Sequence, residues 1–436
     1  VLTEVLIMKT AIKNALAVLP QGSRIADIYI DGDSICAIGD APEGFLPDRV
    51  IDATDKLLTP GFINAHTHIY MTCMRNRADD LNFTKWLFDT VVPMENTLSE
   101  DDAYWGIMLG CMEMLESGVT SILDMHMFPM TTAKAMADSG MRAVISRGLQ
   151  GSRDSRQAGE DRIKQAVDEM EAYGQTPTLT FMLAPHAPYT CDDYYLTRVA
   201  EKARELNIGI NTHLSESMDE QNTIRERYHM SPAEFYDKCG ILGANTVCAH
   251  CVYLSESDMD LLAGRGTSVA HNPASNMKLG NGFAPVALMQ RHGVNVCIGT
   301  DGCCSNNNQS ILREMGIAGL IHKGTAGEAT AVTAAEVFNM ATVNGAKALC
   351  LGDITGEIAV GKRADLSLFD LNSPGFFPLG DPKSALVYAN AGLKAETVMV
   401  NGEVLLDKGE FKTIDAERVR HEIKGLQKRL DKIRRV

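Results

Sequence analysis

Four short segments place imidazoles and carboxylates where strands would end. In Gly61-Phe-Ile-Asn-Ala-His66-Thr-His68 the two histidines are two residues apart. On a strand both rings point to one side and can reach one ion. Asn211-Thr-His213-Leu-Ser-Glu216 ends an apolar run in an imidazole, followed three residues later by a carboxylate. Val247-Cys-Ala-His250-Cys adds another imidazole, and Cys297-Ile-Gly-Thr-Asp301 delivers a carboxylate at the mouth of a buried-looking strand. A lone His-x-His would more often be an interior hydrogen-bonded pair, but four strand-end matches in order point to a metal. Neutral imidazoles and a carboxylate suit zinc and related divalent ions, and an open position leaves room for water. A buried Asp such as Asp301 is costly unless it is paired or coordinating.

These side chains need a scaffold that brings many strand ends together. Between about Pro60 and Gly356, short apolar runs alternate with helical stretches, and candidate strands end at His68, His126, Gly148, His186, Glu216, Cys251, Pro273 and Asp301. Eight strands alternating with helices predict a (β/α)8 TIM barrel, an α/β fold, with its chemistry at the C-terminal strand ends. Strand-rich segments flank it: Ile12–Val18, Ile25–Ile30 and Ser34–Ile38 around the turn Asp31-Gly32-Asp33, then Ala364–Leu371 and Thr397–Leu406 with Asn401-Gly402 as a turn. Asp-Gly and Asn-Gly between apolar alternations are hairpin signals. The two ends are expected to pair into one small β-sandwich domain over 1–59 and 357–412, around a barrel over 60–356. A charged amphipathic C-terminal helix over 413–436 follows, with Asp415 as its N-cap.

Composition narrows the function classes. Lysine plus arginine number 41 against 56 acids, a formal net charge of −15. Such a surface repels phosphate backbones and anionic lipid, so neither nucleic acid nor membrane is the expected partner. Eleven cysteines scattered through apolar stretches suit a reducing cytoplasm better than a disulfide framework. Val1 to Pro20 carries Glu4, Lys9 and Lys13 within its apolar run and reads as a strand, not a signal peptide. Neither a phosphate-binding glycine loop nor the H-x-E…P-C-x-x-C pattern of the nucleobase-editing deaminases occurs. Cys248 and Cys251 have CxxC spacing without a second pair, which favours buried packing. Among the other histidines, His126 is expected in polar packing and His271 either at the mouth or bracing its loop. His229, His292, His322 and His421 are expected to be solvated.

Pro60-Gly-Phe-Ile-Asn-Ala-His-Thr-His, His213-Leu-Ser-Glu216, His250-Cys and Gly299-Thr-Asp301 together resemble the amidohydrolase superfamily, in its aminohydrolase branch. The resemblance covers nearly the whole chain, including the Gly361-Lys-Arg-Ala-Asp-Leu stretch. Phe83-Thr-Lys-Trp86-Leu, Val92-Pro-Met-Glu95, Ala184-Pro-His186-Ala-Pro-Tyr and His271-Asn-Pro-Ala-Ser-Asn-Met-Lys-Leu-Gly-Asn-Gly resemble the 5′-methylthioadenosine/S-adenosylhomocysteine deaminase family more closely. Triazine hydrolases and guanine deaminases share parts of these motifs. Binuclear members bridge two metals with a modified lysine at the end of the fourth barrel strand. That strand here ends Leu183-Ala-Pro-His186, so one divalent ion is expected on His66, His68, His213 and Asp301, zinc foremost, with iron or manganese as alternatives.

The chemistry expected is hydrolytic deamination of an adenine nucleoside to the inosine analogue and ammonia. Metal coordination can lower the pKa of water to about 7. Attack on the amino-bearing ring carbon needs the adjacent ring nitrogen protonated, and Glu216 is placed to move that proton. Asp301 can bind metal and carry a proton to departing ammonia, and His250 can stabilise the tetrahedral centre. The resemblance further implies that Glu95 accepts from ribose hydroxyls, His186 contacts the nucleoside and Trp86 packs nearby. From the residues alone, Trp86 reads as helix core and Glu95 as a solvated acid. Arg147, which has no evident acidic partner in the sequence, could bind a homocysteine carboxylate bidentately. The family's second arginine best matches Arg162, although the loop Gly151–Asp161 adds Arg153 and Arg156. The expected partner is a small purine nucleoside, and the expected assembly a homo-oligomer. The alternatives are another nitrogen heterocycle (guanine, a pterin or a triazine) or a catalytically silent barrel used as a scaffold.

Overall fold

The computed structural model describes residues 8–151 and 155–433. The part of the first strand expected over Val1–Ile7 therefore lies outside the described residues, as do Arg153 and the end of the C-terminal helix from Arg434. Two sheets organise the rest. The first takes β1 (Lys9–Leu19), β2 (Gly22–Asp31), β3 (Ser34–Ile38), β4 (Arg49–Asp52) and β5 (Lys56–Pro60) from one end of the chain. The second is the barrel, with β6 (Phe62–Thr67), β7 (Val119–His126), β8 (Arg142–Leu149), β9 (Leu179–Pro185), β10 (Gly209–Leu214), β11 (Thr246–His250), β12 (Ser268–His271) and β13 (Asn295–Ile298). The chain then returns to the first sheet with β14 (Leu366–Asp370), β15 (Ala395–Val400), β16 (Glu403–Asp407) and β17 (Glu410–Phe411).

The barrel strands are parallel throughout, in sequence order from β6 to β13. Their ends lie within three residues of those read from the sequence. The seam between β13 and β6 is closed above the strands. Asp301 N–H donates to the His66 carbonyl at 3.0 Å, and the Asn64 amide bonds both the side chain and backbone of Thr300 at 2.7 and 3.0 Å. Ile63, Ala65, Leu123, Val144, Met182, Val247, Ala270 and Cys297 fill the interior as one cluster, plugged from below by Ala346, Leu349 and Leu351. This is the layered packing that makes such a barrel a solid core. On β8, Val144 marks the inward face, so Ser146 and Gly148 point in while Ile145 and Arg147 point to the helices.

The two chain ends form a single nine-stranded sheet, joined where β5 pairs antiparallel with β14 (Leu58 opposite Leu368). The sheet curls over one core containing Ile12, Ile28, Leu58, Leu368 and Met399. The curl brings the two hairpin turns together: a Cβ on Gly402 would sit 2.1 Å from the Gly32 carbonyl. Asn401 and Gly402 both have positive φ (51° and 83°), the pairing a two-residue hairpin turn needs. At the barrel floor the sheet is tied on by Arg142, whose Nε and Nη2 donate to Asp365 at 2.8 and 3.1 Å. The C-terminal helix Ala416–Ile433 starts where Asp415 caps the Arg418 N–H at 2.9 Å. It buries Val419, Ile423, Leu426 and Leu430 along the helix Glu100–Glu116.

One segment departs from regular geometry near the mouth. Lys85–Val91 winds as a π-helix that runs into Val92–Glu95. Such wide turns are uncommon and concentrate at functional sites. No helix of the described residues is long and apolar enough to cross a membrane. All eleven cysteines are unpaired, and Cys248 and Cys251 are buried.

Candidate active site

A cavity of about 410 Å³ opens at the C-terminal ends of the barrel strands, under the arch of 83–95. At its base His66, His68 and His213 bring one nitrogen each within 4.8 Å of one another, and a nitrogen of His66, a nitrogen of His250 and a carboxylate oxygen of Asp301 lie equally close. An irregularity on β6 makes this possible. Between Asn64 and Thr67 one extra residue is fitted against β7. Ile63 and Ala65 belong to the interior cluster, and the extra residue carries His66 and His68 to that same side. Bulges commonly re-aim side chains in this way beside active sites.

The spacing tests whether a metal fits. Ligand atoms each about 2.0–2.1 Å from a tetrahedral zinc lie about 3.4 Å from one another. His68 Nε2 is 3.4 Å from His213 Nε2 and 3.4 Å from Asp301 Oδ1, and His66 Nε2 is 3.7 Å from the same oxygen. His66 Nε2 is buried with no hydrogen-bond partner, a cost that a bound cation would remove. Burial, with the neighbouring imidazoles, holds His66 and His213 well below the usual histidine range. They are neutral, as metal ligands must be.

Outer partners fix the rings of His68, His213 and His250. His68 Nδ1 donates to the Met125 carbonyl at 2.8 Å and His213 Nδ1 to the His186 carbonyl at 2.7 Å, turning both Nε2 atoms inward. His250 Nδ1 is 2.8 Å from Asn276 Oδ1. Ser275 and Ser305 hydroxyls donate to Asp301 Oδ2 at 2.6 and 2.9 Å, leaving Oδ1 for the histidines. Burial works to raise the Asp301 carboxyl, but His250, His68 and His66 hold it below its ordinary range. Ser215, His250, Cys251 and Asp301 all have φ between 48° and 75°. Non-glycine residues held in that left-handed region store strain, and such strain gathers at working sites.

Glu216 lies beside this cluster, its Oε2 3.8 Å from His250 Nε2 and its Oε1 accepting from Asn281 at 3.1 Å. Burial pushes its carboxyl up, opposed by His250 and reinforced by Asp301. The Glu220 carboxylate accepts the Ser215 and Glu216 N–H groups at 2.7 and 3.1 Å and so holds the turn that presents Glu216.

Trp86, Glu95 and His186 line the cavity. Trp86 Nε1 donates to the Cys304 carbonyl at 3.0 Å, and the Tyr70 hydroxyl donates to Glu95. Burial lowers His186 to about 4, so its ring is neutral.

The two arginines fall elsewhere. Arg147 is on the outward face of β8, and its Nε and Nη2 donate to Glu169 at 2.7 and 2.6 Å. The expectation that its charge has no local acidic partner is overturned, because strand alternation points it at the helix Arg156–Tyr173, away from the cavity. Arg162 Nη1 donates to the Gln150 carbonyl at 2.9 Å, and Arg156 stacks over Tyr194 at 4.4 Å. Neither lines the cavity.

Two histidine expectations also change. His271 turns away from the mouth and its Nε2 meets His322 Nε2 at 2.9 Å, which settles it as a brace. His322 is only 3% exposed, so it is not solvated, because the helix Ile311–Ala326 packs against β13 and β6 and turns this ring inward. His229 and His421 are exposed, and His292 bonds Asp260 at 2.7 Å. His126 is buried and lines the cavity, its ring edge-on to Tyr70 with centroids 4.0 Å apart.

Sequence reasoning passed over Tyr70, Ser275, Asn276, Asn281 and Ser305. Ser275, Asn276 and Asn281 stand inside the His271–Gly282 motif, where nothing local marks which polar side chains turn toward the site. Tyr70 had a signal too: it lies two residues past His68.

Residues 57–405 match the amidohydrolase family. The chain is 40% identical over 406 residues to a 5-methylthioadenosine/S-adenosylhomocysteine deaminase of Thermoanaerobacter pseudethanolicus, covering 93% of this chain and 94% of that protein. It is 40% identical over 404 residues to a 5′-deoxyadenosine deaminase of Methanothermobacter thermautotrophicus, covering 92% of each. Among solved structures, it superposes on a zinc-bound adenosine deaminase from Xanthomonas campestris with a TM-score of 0.92. That match has 30% identity and covers 98% of this chain and 99% of the other.

Proposed function

The chain belongs to the amidohydrolase family, and from that premise we propose that it deaminates a 5′-modified adenine nucleoside hydrolytically. The candidates are 5′-methylthioadenosine, S-adenosylhomocysteine and 5′-deoxyadenosine, each giving the inosine analogue and ammonia. The observation that carries the reading is the convergence of four donors at metal-ligand spacing with the carboxylate of Glu216 beside them.

His66, His68, His213 and Asp301 would hold one divalent ion, zinc being the best fit to three imidazoles and a carboxylate. When bound, the ion supplies Lewis acidity that brings the pKa of a water near 7. Glu216 takes the proton of the attacking water and gives it to the ring nitrogen next to the amino-bearing carbon, so that the ring can accept the electron pair. A raised carboxyl pKa suits that exchange. His250 faces the same point as Glu216 and Asp301, and stabilises the charge that develops on the attacking oxygen. Asp301 takes the remaining proton of the added hydroxyl and gives it to the amino nitrogen, so that the carbonyl forms as ammonia leaves. Glu95, already fixed at one oxygen by Tyr70, accepts from ribose hydroxyls, while neutral His186 and the Trp86 ring hold the nucleoside.

The test is ammonia release by zinc-loaded protein across adenine nucleosides, guanine, a pterin and triazines. Release from the nucleosides and none from the free heterocycles is the expected result. Release from guanine or a triazine alone would move the substrate to another branch of the family. No release from any would leave the scaffold reading.

A further inference from the structure

We infer that Glu314 is a positioning residue for the metal cluster: its one buried carboxylate ties together the two segments whose serines aim Asp301. The inference goes beyond the deaminase reading and rests only on the metal site within it.

Ser275 and Ser305 donate to the same oxygen of Asp301, at 2.6 and 2.9 Å, and so decide which oxygen is left for the histidines. Ser275 is on the short helix Pro273–Lys278 that follows β12, and Ser305 is in the turn after β13. Two hydroxyls meet on one oxygen only if these segments keep a fixed separation. Glu314, from the helix Ile311–Ala326, spans them. Its Oε2 accepts the Ala274 N–H at 3.1 Å, one residue before Ser275, and its Oε1 accepts from the Asn306 amide at 3.0 Å, one residue after Ser305.

Both donors are held ready for it. Ala274 N–H is one of the orphan donors at the start of a helix, and Pro273 before it has none to offer. The Asn306 side chain is fixed from both ends: Arg313 Nη1 donates to its Oδ1 at 2.6 Å, and its Nδ2 also donates to the Thr300 carbonyl at 2.6 Å. Glu314 itself is fully buried, with the Arg313 guanidinium 3.8 Å from Oε1. Burial pushes its carboxyl up to about 7, against the pull of the two donors. A buried acid is a costly way to fill space, so packing alone does not account for it.

The test is zinc affinity, measured by competition with a chromophoric chelator on the full chain. Four proteins are compared: the parent, Glu314→Gln, the double variant Ser275→Ala/Ser305→Ala, and the triple variant. Glutamine keeps the size of the side chain but accepts at one oxygen where the carboxylate accepts at two. Glu314→Gln should weaken zinc binding about tenfold or more, the scale on which outer partners of metal ligands act. With both serines gone, the same change should alter affinity by less than about twofold, because its effect travels through those hydroxyls. Equal losses in the two backgrounds, or no loss in either, would overturn the inference and leave Glu314 as packing. If Glu314→Gln does not fold by circular dichroism, Asn306→Ala, alone and in a Ser305→Ala background, makes the same comparison with the same two outcomes. A parent chain that binds no zinc would remove the metal site and this inference with it. Tight zinc binding without turnover of any nucleoside would count against the deaminase reading alone.

Discussion

At the floor of the barrel, Arg142 and Asp365 are 2% and 0% exposed, yet their groups are matched: two guanidinium nitrogens meet two carboxylate oxygens, and the Asn401 N–H adds a bond at 2.7 Å. At the mouth, His66 Nε2 has no partner, the free oxygen of Asp301 faces imidazole nitrogens, and four residues sit in left-handed backbone. Both ends bury charge, but only the floor is complete as it stands. The floor joins two parts of the fold, so its charges are satisfied within the chain. On the proposed function, the mouth keeps its polar atoms for an ion and a substrate. That contrast separates changes that should cost stability from changes that should cost rate.

Removing the metal is the largest way to exploit it. Chelation should abolish turnover reversibly, and purified protein should carry about one divalent ion per chain. Because the floor does not use the ion, the stripped chain should remain folded by circular dichroism. Two equally occupied ions, both needed for turnover, would break the single-ion reading. Next in size is Arg142→Met. It strands a buried Asp365 and should lower unfolding free energy by about 3–5 kcal/mol, measured by denaturant titration. The kcat of the folded fraction should be unchanged. A fall in kcat without loss of stability would erase the division between floor and mouth.

Glu216→Gln reverses that pattern. If Glu216 carries the proton as proposed, kcat should drop about a hundredfold or more, or about 2.7 kcal/mol at the barrier. Metal content should hold, and the melting temperature should stay level or rise, because burial already disfavours the charged form of Glu216. Near-normal kcat in a metal-loaded variant would leave Asp301 as the only shuttle.

The barrel was legible because its strands are apolar runs ending in polar residues, and the hairpins because Asn401-Gly402 and Asp31-Gly32 name their turns. The histidine cluster was legible because two-residue spacing and strand ends have one geometric meaning. What stayed hidden depends on facing. Nothing in the local sequence tells His271 from His250: both end a neighbouring barrel strand, yet one meets a second imidazole and the other a carboxylate. Ser275, on the short helix Pro273–Lys278, and Ser305, in the turn after β13, converge on Asp301, a pairing fixed only when the barrel closes. The bulge before His66 was equally invisible, since an extra residue is defined against its neighbour strand.

Arg147 is the residue for which facing could have been counted. Val144 belongs to the interior layer, so an odd step of three puts Arg147 outside, and the bidentate pair with Glu169 follows. To serve a substrate carboxylate it would have to break that pair and cross the plane of β8. The Arg147–Glu169 side chains are 18% and 19% exposed, between the floor pair and a surface pair. Arg147→Met should therefore cost about 1 kcal/mol of stability or less. Its effect on kcat/KM should be the same for 5′-methylthioadenosine and S-adenosylhomocysteine, within about twofold, because no substrate contact is lost. An arginine that bound the carboxylate would show a selective loss on S-adenosylhomocysteine of about tenfold or more, from the 1.5–3 kcal/mol of a charge-assisted bond. That result would mean the guanidinium leaves Glu169 and crosses to the cavity face of β8 when substrate arrives.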